Sequence, residues 1–299
     1  MKSRVLKLGF IGTGTIGSAL ALTLHSRGYP VVAVSSRYHA SARKLAQAIN
    51  GCSAVTDNQE VADTAEFVFI TTPDDVIASV ASQTKWRQGQ YVVHCSGADT
   101  TDILEPARKA GTYVGVFHPL QTFAGAREAL ENMPGSTFTL EAEEPLLGIL
   151  QDMASALGGH WIELKAGDKA AYHAAAVIAC NYLVTLVKMA TDLWQTFGIS
   201  REKATRALLP LIRGTVHNIE TIGIPRCLTG PIARGDSGTI KKHLEALEKV
   251  SPDMLTTYKE LGLRTIPIAL AKGRINEQQA EELKTILEPA NCKLAGRSL

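Results

Sequence analysis

Gly9-Phe10-Ile11-Gly12-Thr13-Gly14-Thr15-Ile16-Gly17 is the stretch whose reading decides the fold. The apolar run Val5 to Ile11 has strand character and feeds directly into G-x-G-x-x-G. Ser18-Ala19-Leu20-Ala21-Leu22-Thr23-Leu24 then continues with a helical pattern. Each glycine has a physical task. Gly12 permits the tight turn, Gly14 lets an anion approach the backbone, and Gly17 lets the helix pack close to the strand. The start of the helix offers free N–H groups and a positive dipole end. Gly12, Thr13, Gly14, Thr15, Ile16 and Gly17 therefore read as a cradle for the pyrophosphate of a dinucleotide. A second strand, Val31 to Val34, follows where such a unit requires it.

Outward from this loop, strands and helices alternate. A helix from Ile16 to Arg27 precedes the second strand, and a polar helix from Ala40 to Ile49 stops at Gly51. Further strands are expected at Ser53–Val55, Ala65–Ile70, Tyr91–His94 and Tyr113–Phe117, with helices near 73–84 and 101–110. Near-continuous apolar strands separated by helices indicate a parallel sheet covered on both faces. Ser136 to Leu140 and His160 to Leu164, around a helix from Glu143 to Leu157, read as two more strands extending that sheet. Composition changes near Ala166, beyond which only helical patterns occur. The expected organisation is an α/β Rossmann domain with a doubly wound, mainly parallel sheet over residues 1–165 and an all-helical domain over 166–299. The first helix of the latter, Asp168 to Phe197, is apolar almost all round between Ala174 and Val187, which predicts a buried central helix. Ser200, Asp236, Ser251 and Asn276 are candidate N-caps for the helices that follow.

The whole-chain numbers exclude several functions. At 299 residues the chain is long enough for two domains. A formal net charge of +2 gives no electrostatic case for nucleic acid or an anionic membrane. Met1-Lys2-Ser3-Arg4 runs straight into the first strand, which argues against a signal peptide. The apolar stretch near Ala174 to Val187 reads as too short and too polar to span a bilayer. Cys52, Cys95, Cys180, Cys227 and Cys292 form no C-x-x-C pair and are odd in number. That fits free thiols in a reducing, cytoplasmic compartment and no metal site.

The end of the second strand chooses between the two nicotinamide dinucleotides. An acidic residue there would accept hydrogen bonds from a ribose 2′-hydroxyl and repel a 2′-phosphate. This chain has Ser35-Ser36-Arg37 instead, two hydroxyls and a guanidinium, which suits NADP. The loops after later strands should face the nicotinamide half of the cofactor. Thr71-Thr72-Pro73, Ser96-Gly97 and His118-Pro119-Leu120-Gln121 fall there. His118 is the most reactive of these, or else a turn histidine bonded to local backbone.

Three further stretches carry a family resemblance. They are His118-Pro119-Leu120-Gln121-Thr122-Phe123, Lys169-Ala170-Ala171-Tyr172-His173-Ala174-Ala175-Ala176 and Leu228-Thr229-Gly230-Pro231-Ile232-Ala233-Arg234-Gly235-Asp236. With the glycine loop, they make the whole chain resemble the proteins that join a Rossmann-like domain to domain of unknown function 2520. The resemblance implies an NADP-dependent oxidoreductase. Its helical domain would be similar to those of 6-phosphogluconate dehydrogenase, pyrroline-5-carboxylate reductase and the β-hydroxyacid dehydrogenases. The last of these carry a lysine followed four residues later by asparagine at the start of this helix. Lys169 matches the lysine, and His173 stands at the asparagine position.

Lys169 and His173, four apart, lie on one helix face. They read as acid/base groups for hydride transfer between NADP(H) and a small carbonyl, imine or alcohol, with His118 next in line. The plainer alternative makes Lys169 a surface cap and His173 a hydrogen-bonded core residue. Gln121, Asn181, Thr229, Arg234 and Asp236 are candidate substrate contacts. Two other functions fit the same residues. One is a protein that binds NADPH without turnover. The other is a prephenate-dehydrogenase-like enzyme, for which Arg213 and Arg234 would be the cationic partners. In the families resembled, the long helix packs across a two-fold interface, so a homodimer through the helical domain is expected.

Overall fold

A computed structural model of the chain describes residues 6–288. The chain divides into two compact units, Met1–Asn181 and Tyr182–Leu299.

The first unit is built on an eight-stranded sheet of order β3-β2-β1-β4-β5-β6-β7-β8. The strands are β1 (Leu8–Ile11), β2 (Val31–Ser35), β3 (Ser53–Val55), β4 (Phe67–Ile70), β5 (Tyr91–His94), β6 (Tyr113–Leu120), β7 (Thr137–Ala142) and β8 (His160–Glu163). The intervening helices are α1 (Thr15–Ser26), α2 (His39–Gln47), α3 (Asn58–Thr64), α4 (Asp74–Gln83), α5 (Glu105–Lys109), α6 (Ala126–Asn132) and α7 (Leu146–Ala156). A short 3-10 turn, Thr101–Leu104, leads into α5, and α8 (Lys169–Ala179) closes the unit.

Strand order reverses at β1, between β2 and β4. In open α/β sheets such a reversal leaves a crevice outside the carboxyl ends of the strands. One face of the sheet buries Phe10, Phe69, Phe117 and Phe138 together with Leu20 and Leu24 of α1 and Leu150 of α7. The other buries Ile11, Val68, Ile70 and Val92 under Ile77 and Val80 of α4. The rings of Phe10 and Phe69 stack at 4.8 Å, and those of Phe117 and Phe138 at 4.7 Å. Each such buried ring contributes about 1.5–3 kcal/mol, which makes the sheet a rigid platform for the loops at its edge.

Several expectations need correction. β7 runs antiparallel to β6, which agrees with a mainly parallel sheet, although the sequence pattern does not mark the reversal at this strand in particular. β6 does not stop at Phe117: it continues through His118, Pro119 and Leu120, pairing His118 with Thr139 and Pro119 with Phe138. His118 is therefore a strand residue and not a loop residue. Helices α3 and α6 lie in stretches for which the sequence pattern predicts no helix. The division between units falls beyond the compositional change at Ala166, because α8 begins with a side chain, Lys169, that is 1% exposed and bonded to the sheet unit at Ser96.

The second unit is helical, with α9 (Asn181–Gln195), α10 (Arg201–Ile222), α11 (Ser237–Val250), α12 (Leu255–Ala271) and α13 (Glu277–Leu287). Ser200, Asp236 and Asn276 cap α10, α11 and α13 as their sequence positions predict; Ser251 precedes the 3-10 turn Pro252–Met254 that leads into α12. Ile240, Ile266, Ala269, Leu283 and Leu287 form the core.

The long apolar helix departs from its expectation in three ways. It is interrupted at Cys180, which separates α8 from α9 with φ −111° and ψ −65°. It is not buried: Ile178, Tyr182, Val184 and Leu186 are all exposed. Its full run, Lys169–Gln195, is 27 residues, so by length and composition it is long and apolar enough to cross a membrane. The apolar stretch seen in the sequence, Ala174 to Val187, was only the middle of it.

Candidate active site

The carboxyl end of β1 turns at Gly12, whose φ of +109° is open to glycine and strained for other residues. A Cβ at Gly17 would stand 2.3 Å from the Gly12 carbonyl oxygen and 2.4 Å from Thr71 Oγ1. Only glycine lets α1 come this close to the strand ends. The Thr71 hydroxyl donates to the Gly12 carbonyl at 2.6 Å, tying the loop after β4 to the loop after β1. Thr71 is thus a brace between the two loops.

Gly14 is the N-cap of α1 and makes no side-chain cap bond, and a Cβ there would meet nothing within 4 Å. The first-turn amides, including those of Thr15 and Ile16, are the orphan donors of a helix start and suit an anion. Two buried hydroxyls at the same mouth, Thr13 Oγ1 and Thr72 Oγ1, lack a partner among the described residues. Pro73 supplies the N-cap position of α4 directly beyond them. Next to this mouth a pocket of about 470 Å³ is lined by Gly12, Ser36, Arg37, Asp57, Asn58 and Thr72, among others. An open glycine cradle, orphaned hydroxyls and an adjoining pocket together fit a dinucleotide.

Ser35 does not take the part expected of it. Its side chain is buried and donates to Asn58 Oδ1 at 2.8 Å, so it braces β2 against α3. Ser36 and Arg37 line the pocket, and the guanidinium of Arg37 lies 5.0 Å from the centroid of the Tyr38 ring. Asp57, the acidic residue in this wall, accepts from the Gln59 amide in a capping box with Glu60, which commits it to the start of α3.

The loop after β5 is the second focus. Its shape is set by His94, which is fully buried. The Ser96 amide donates to His94 Nδ1 at 3.1 Å, which leaves Nε2 to donate to the Thr100 carbonyl, also at 3.1 Å. Burial, and then the nearby Lys169, push this imidazole down to about 4, so the ring stays neutral and holds the loop. Ser96 Oγ accepts from the amides of Ala98 and Asp99 and stands 2.8 Å from Asp74 Oδ2 and 2.9 Å from Asp99 Oδ2.

Three side chains converge on this loop. Lys169 Nζ donates to the Ser96 carbonyl at 3.0 Å. A Cβ placed on Gly97 would stand 2.6 Å from His173 Nδ1 and 2.9 Å from His118 Nε2. Lys169, His173 and His118 are thus gathered at Ser96-Gly97, from the start of α8 and from β6. Burial lowers Lys169 to about 8, against the opposing pull of Glu141, Asp99, Cys95 and Asp74. Burial, with Lys169, His173 and His94 nearby, lowers His118 to about 4. His118 is therefore neutral at pH 7 and serves as a hydrogen-bonding group. His173 Nδ1 is buried and has no partner among the described residues.

Tyr172 is a member of this cluster that the residue spacing did not single out. Its phenol oxygen lies 2.9 Å from His118 Nδ1 and 3.4 Å from Thr139 Oγ1. Burial raises its pKa, so the phenol keeps its proton. With Tyr172 donating to Nδ1, the neutral His118 ring carries its own proton on Nε2, the nitrogen beside Gly97. Beside these groups opens a pocket of about 560 Å³ whose walls include His118, Tyr172, His173, Gln121, Phe123 and Asn181. Gln121 and Asn181 thus lie where a substrate contact belongs. Thr229, Arg234 and Asp236 belong to the second unit. There Asp236 caps α11, accepting from the Thr239 amide at 2.9 Å, and Arg234 lies 3.9 Å from the same carboxylate.

Comparison with known proteins agrees with this architecture. Residues 1–119 match the family model of a Rossmann-like domain, and residues 136–265 match domain of unknown function DUF2520. The chain thus carries a Rossmann-like domain followed by a DUF2520 domain. Among solved structures, a protein from Thermotoga maritima is 28% identical, with a TM-score of 0.73 over 89% of this chain and 100% of that one. A candidate NADP oxidoreductase from Bacteroides fragilis is 26% identical, with a TM-score of 0.71 over 88% of this chain and 98% of that one. Plasmodium falciparum pyrroline carboxylate reductase, solved with NADP bound, shares the fold at 18% identity, with a TM-score of 0.59 over 95% and 98%. No curated protein matches the chain.

Proposed function

We propose that this Rossmann-like/DUF2520 protein is an NADP(H)-dependent oxidoreductase that reduces a small carbonyl or imine, or oxidises the corresponding alcohol or amine. The observation that carries this reading is the gathering of Lys169, His173 and His118 on Ser96-Gly97, beyond the carboxyl end of β5 in a sheet whose β1 loop is built for a dinucleotide. The name of the Bacteroides fragilis relative and the NADP in the Plasmodium structure support the choice of cofactor.

Gly14, with the amides of Thr15 and Ile16, would hold the pyrophosphate, and Ser36 with Arg37 the 2′-phosphate. When bound, the cofactor supplies the hydride. The protein's own task is to orient the substrate and to deliver one proton to the oxygen or nitrogen that becomes electron-rich. At pH 7 Lys169 is mainly an ammonium, buried and held to Ser96, and we assign it the acid role. His173 Nδ1, orphaned beside Gly97, takes a hydrogen bond from the bound ligand. His118 and Tyr172 fix the polar end of the pocket.

The protein is further proposed to act in the cytoplasm, as a homodimer. Val184 is 70% exposed on α9 and Leu211 is 67% exposed on α10, with Tyr182, Val216, Ile219 and Ile222 also in water. Large apolar side chains left exposed on two helices of one unit support an interface between two copies of the chain. Light scattering that shows a monomer at micromolar concentration would refute the dimer. The function is tested by following NADPH absorbance across a panel of small ketones and aldehydes, each with and without ammonia or methylamine. Substrate-dependent oxidation supports the proposal. NADPH binding without oxidation across the panel would favour a cofactor-binding protein.

A further inference from the structure

We infer that the pocket beside His118 selects uncharged substrates, a neutral ketone or the imine formed from it, and rejects those that carry a carboxylate; this rests on the reductase reading above. The pocket, about 560 Å³, has the size of a small-molecule site. One wall is the face of α8 that carries Tyr172, Ala175, Ala176, Ala179 and Cys180, residues three and four apart and so on one side of a helix. Leu120 and Phe123, at the end of β6 and just after it, also line the pocket. Alanines leave the room, and leucine and phenylalanine supply the apolar contact.

Charge is what sets this pocket apart. Among the described residues lining it, none is Asp, Glu, Lys or Arg. His118 is held neutral by burial, and Tyr172 keeps its phenolic proton. The nearby cation, Lys169, is held to the Ser96 carbonyl at the Ser96-Gly97 end of the site, where the reacting oxygen or nitrogen takes its proton. It does not line the pocket that receives the rest of the substrate. Of the two side-chain amides in the lining, that of Gln121 is engaged, since its Nε2 lies 3.3 Å from both the Asn132 carbonyl and Ser136 Oγ, which leaves Asn181 as the neutral amide facing a ligand. A carboxylate entering here would give up its hydration with no cation to replace it, whereas an apolar body would gain from burial. The polar atom of a ketone or imine can be met at the His118–Tyr172–His173 end, while the rest of the molecule lies against the alanines.

The test uses a matched pair, the methyl ester and the free acid of 4-oxocyclohexanecarboxylate, each with methylamine and NADPH. The two differ in charge at a point remote from the reacting carbon. The expected kcat/KM favours the ester by about tenfold or more, with the difference in KM. Asn181→Arg, which places a cation at the pocket wall, should narrow that ratio by raising the acid. Equal use of the two, or a preference for the acid, overturns the inference while leaving the reductase reading intact. If neither is reduced, that reading fails with these substrates. Calorimetric binding of the same pair to the NADP⁺-loaded protein then decides the inference: tighter binding of the ester supports it, and tighter binding of the acid or no binding of either overturns it.

Discussion

Lys169 reaches from the first turn of α8 to the carbonyl of Ser96, 3.0 Å away, while remaining 1% exposed. An ammonium in such a place loses much of its hydration and is left with one neutral carbonyl and more distant carboxylates, which is why its pKa falls to about 8. That value gives it a proton to lose within the working range of an enzyme, whereas the two neighbouring histidines, His94 and His118, do not titrate until about 4.

The acid role of Lys169 sets a pH dependence. Reductive turnover should fall as pH rises through about 8, the range in which the ammonium is lost. Lys169→Ala should slow reduction by about 10²–10⁴-fold and abolish that break, with little change in NADPH affinity. A variant that keeps both the rate and the break would move the proton chemistry to another group.

Stability should respond to acid through the two buried imidazoles. Their folded pKa values, about 4, lie below the ordinary 6.5, so between these values the unfolded chain binds protons that the folded chain refuses. Stability from this source is therefore whole above pH 6.5 and declines as pH falls toward 4. The loss is on the order of a few kcal/mol at pH 4. Chemical denaturation at pH 7.5, 5.5 and 4.5 measures it, and His118→Asn should flatten part of the slope. A flat profile would mean that these rings are not buried neutral.

Gly17 and Gly14 should behave in opposite ways. Gly17→Ala drives a methyl into the Gly12 carbonyl and Thr71 Oγ1, and should cost about 1–3 kcal/mol of stability. Gly14→Ala meets nothing in the folded protein, so its melting temperature should hold while NADPH binding weakens, because the methyl occupies the approach to the helix start. Thermal melts of the two variants with and without NADPH separate these outcomes. A destabilised Gly14→Ala, or a harmless Gly17→Ala, would contradict the loop geometry.

Much of this arrangement is legible in the sequence because it depends on local rules. The glycine loop, the four-residue spacing of Lys169 and His173, and the caps at Ser200, Asp236 and Asn276 are all written within a turn or two of chain. The capping box of Asp57 and Glu60 is equally local and marks the start of α3, a helix too short to show an apolar period of its own. Other features are settled only by tertiary contact. The apolar pattern of β7 is the same whichever way the strand runs, so its antiparallel pairing, which brings Thr139 beside His118, left no local signal. His118-Pro119 resembles a turn, yet both residues are paired in β6. At the end of β2, alternation places successive side chains on opposite sides. Of two adjacent serines, Ser35 turned to Asn58 and Ser36 to the pocket. Tyr172 earns its place only through its contact with a residue 54 positions earlier.

The central claim is that this loop and pocket hold NADP(H), and calorimetric titration of the protein with NADPH and with NADH tests it most directly. The expected result is saturable binding with NADPH preferred on the order of tenfold or more, as a charge-assisted contact to the 2′-phosphate requires. Arg37→Ala should erase most of that preference while leaving NADH affinity unchanged. The absence of saturable binding by either dinucleotide would contradict the account outright, and a preference for NADH that persists in Arg37→Ala would contradict its assignment of NADP.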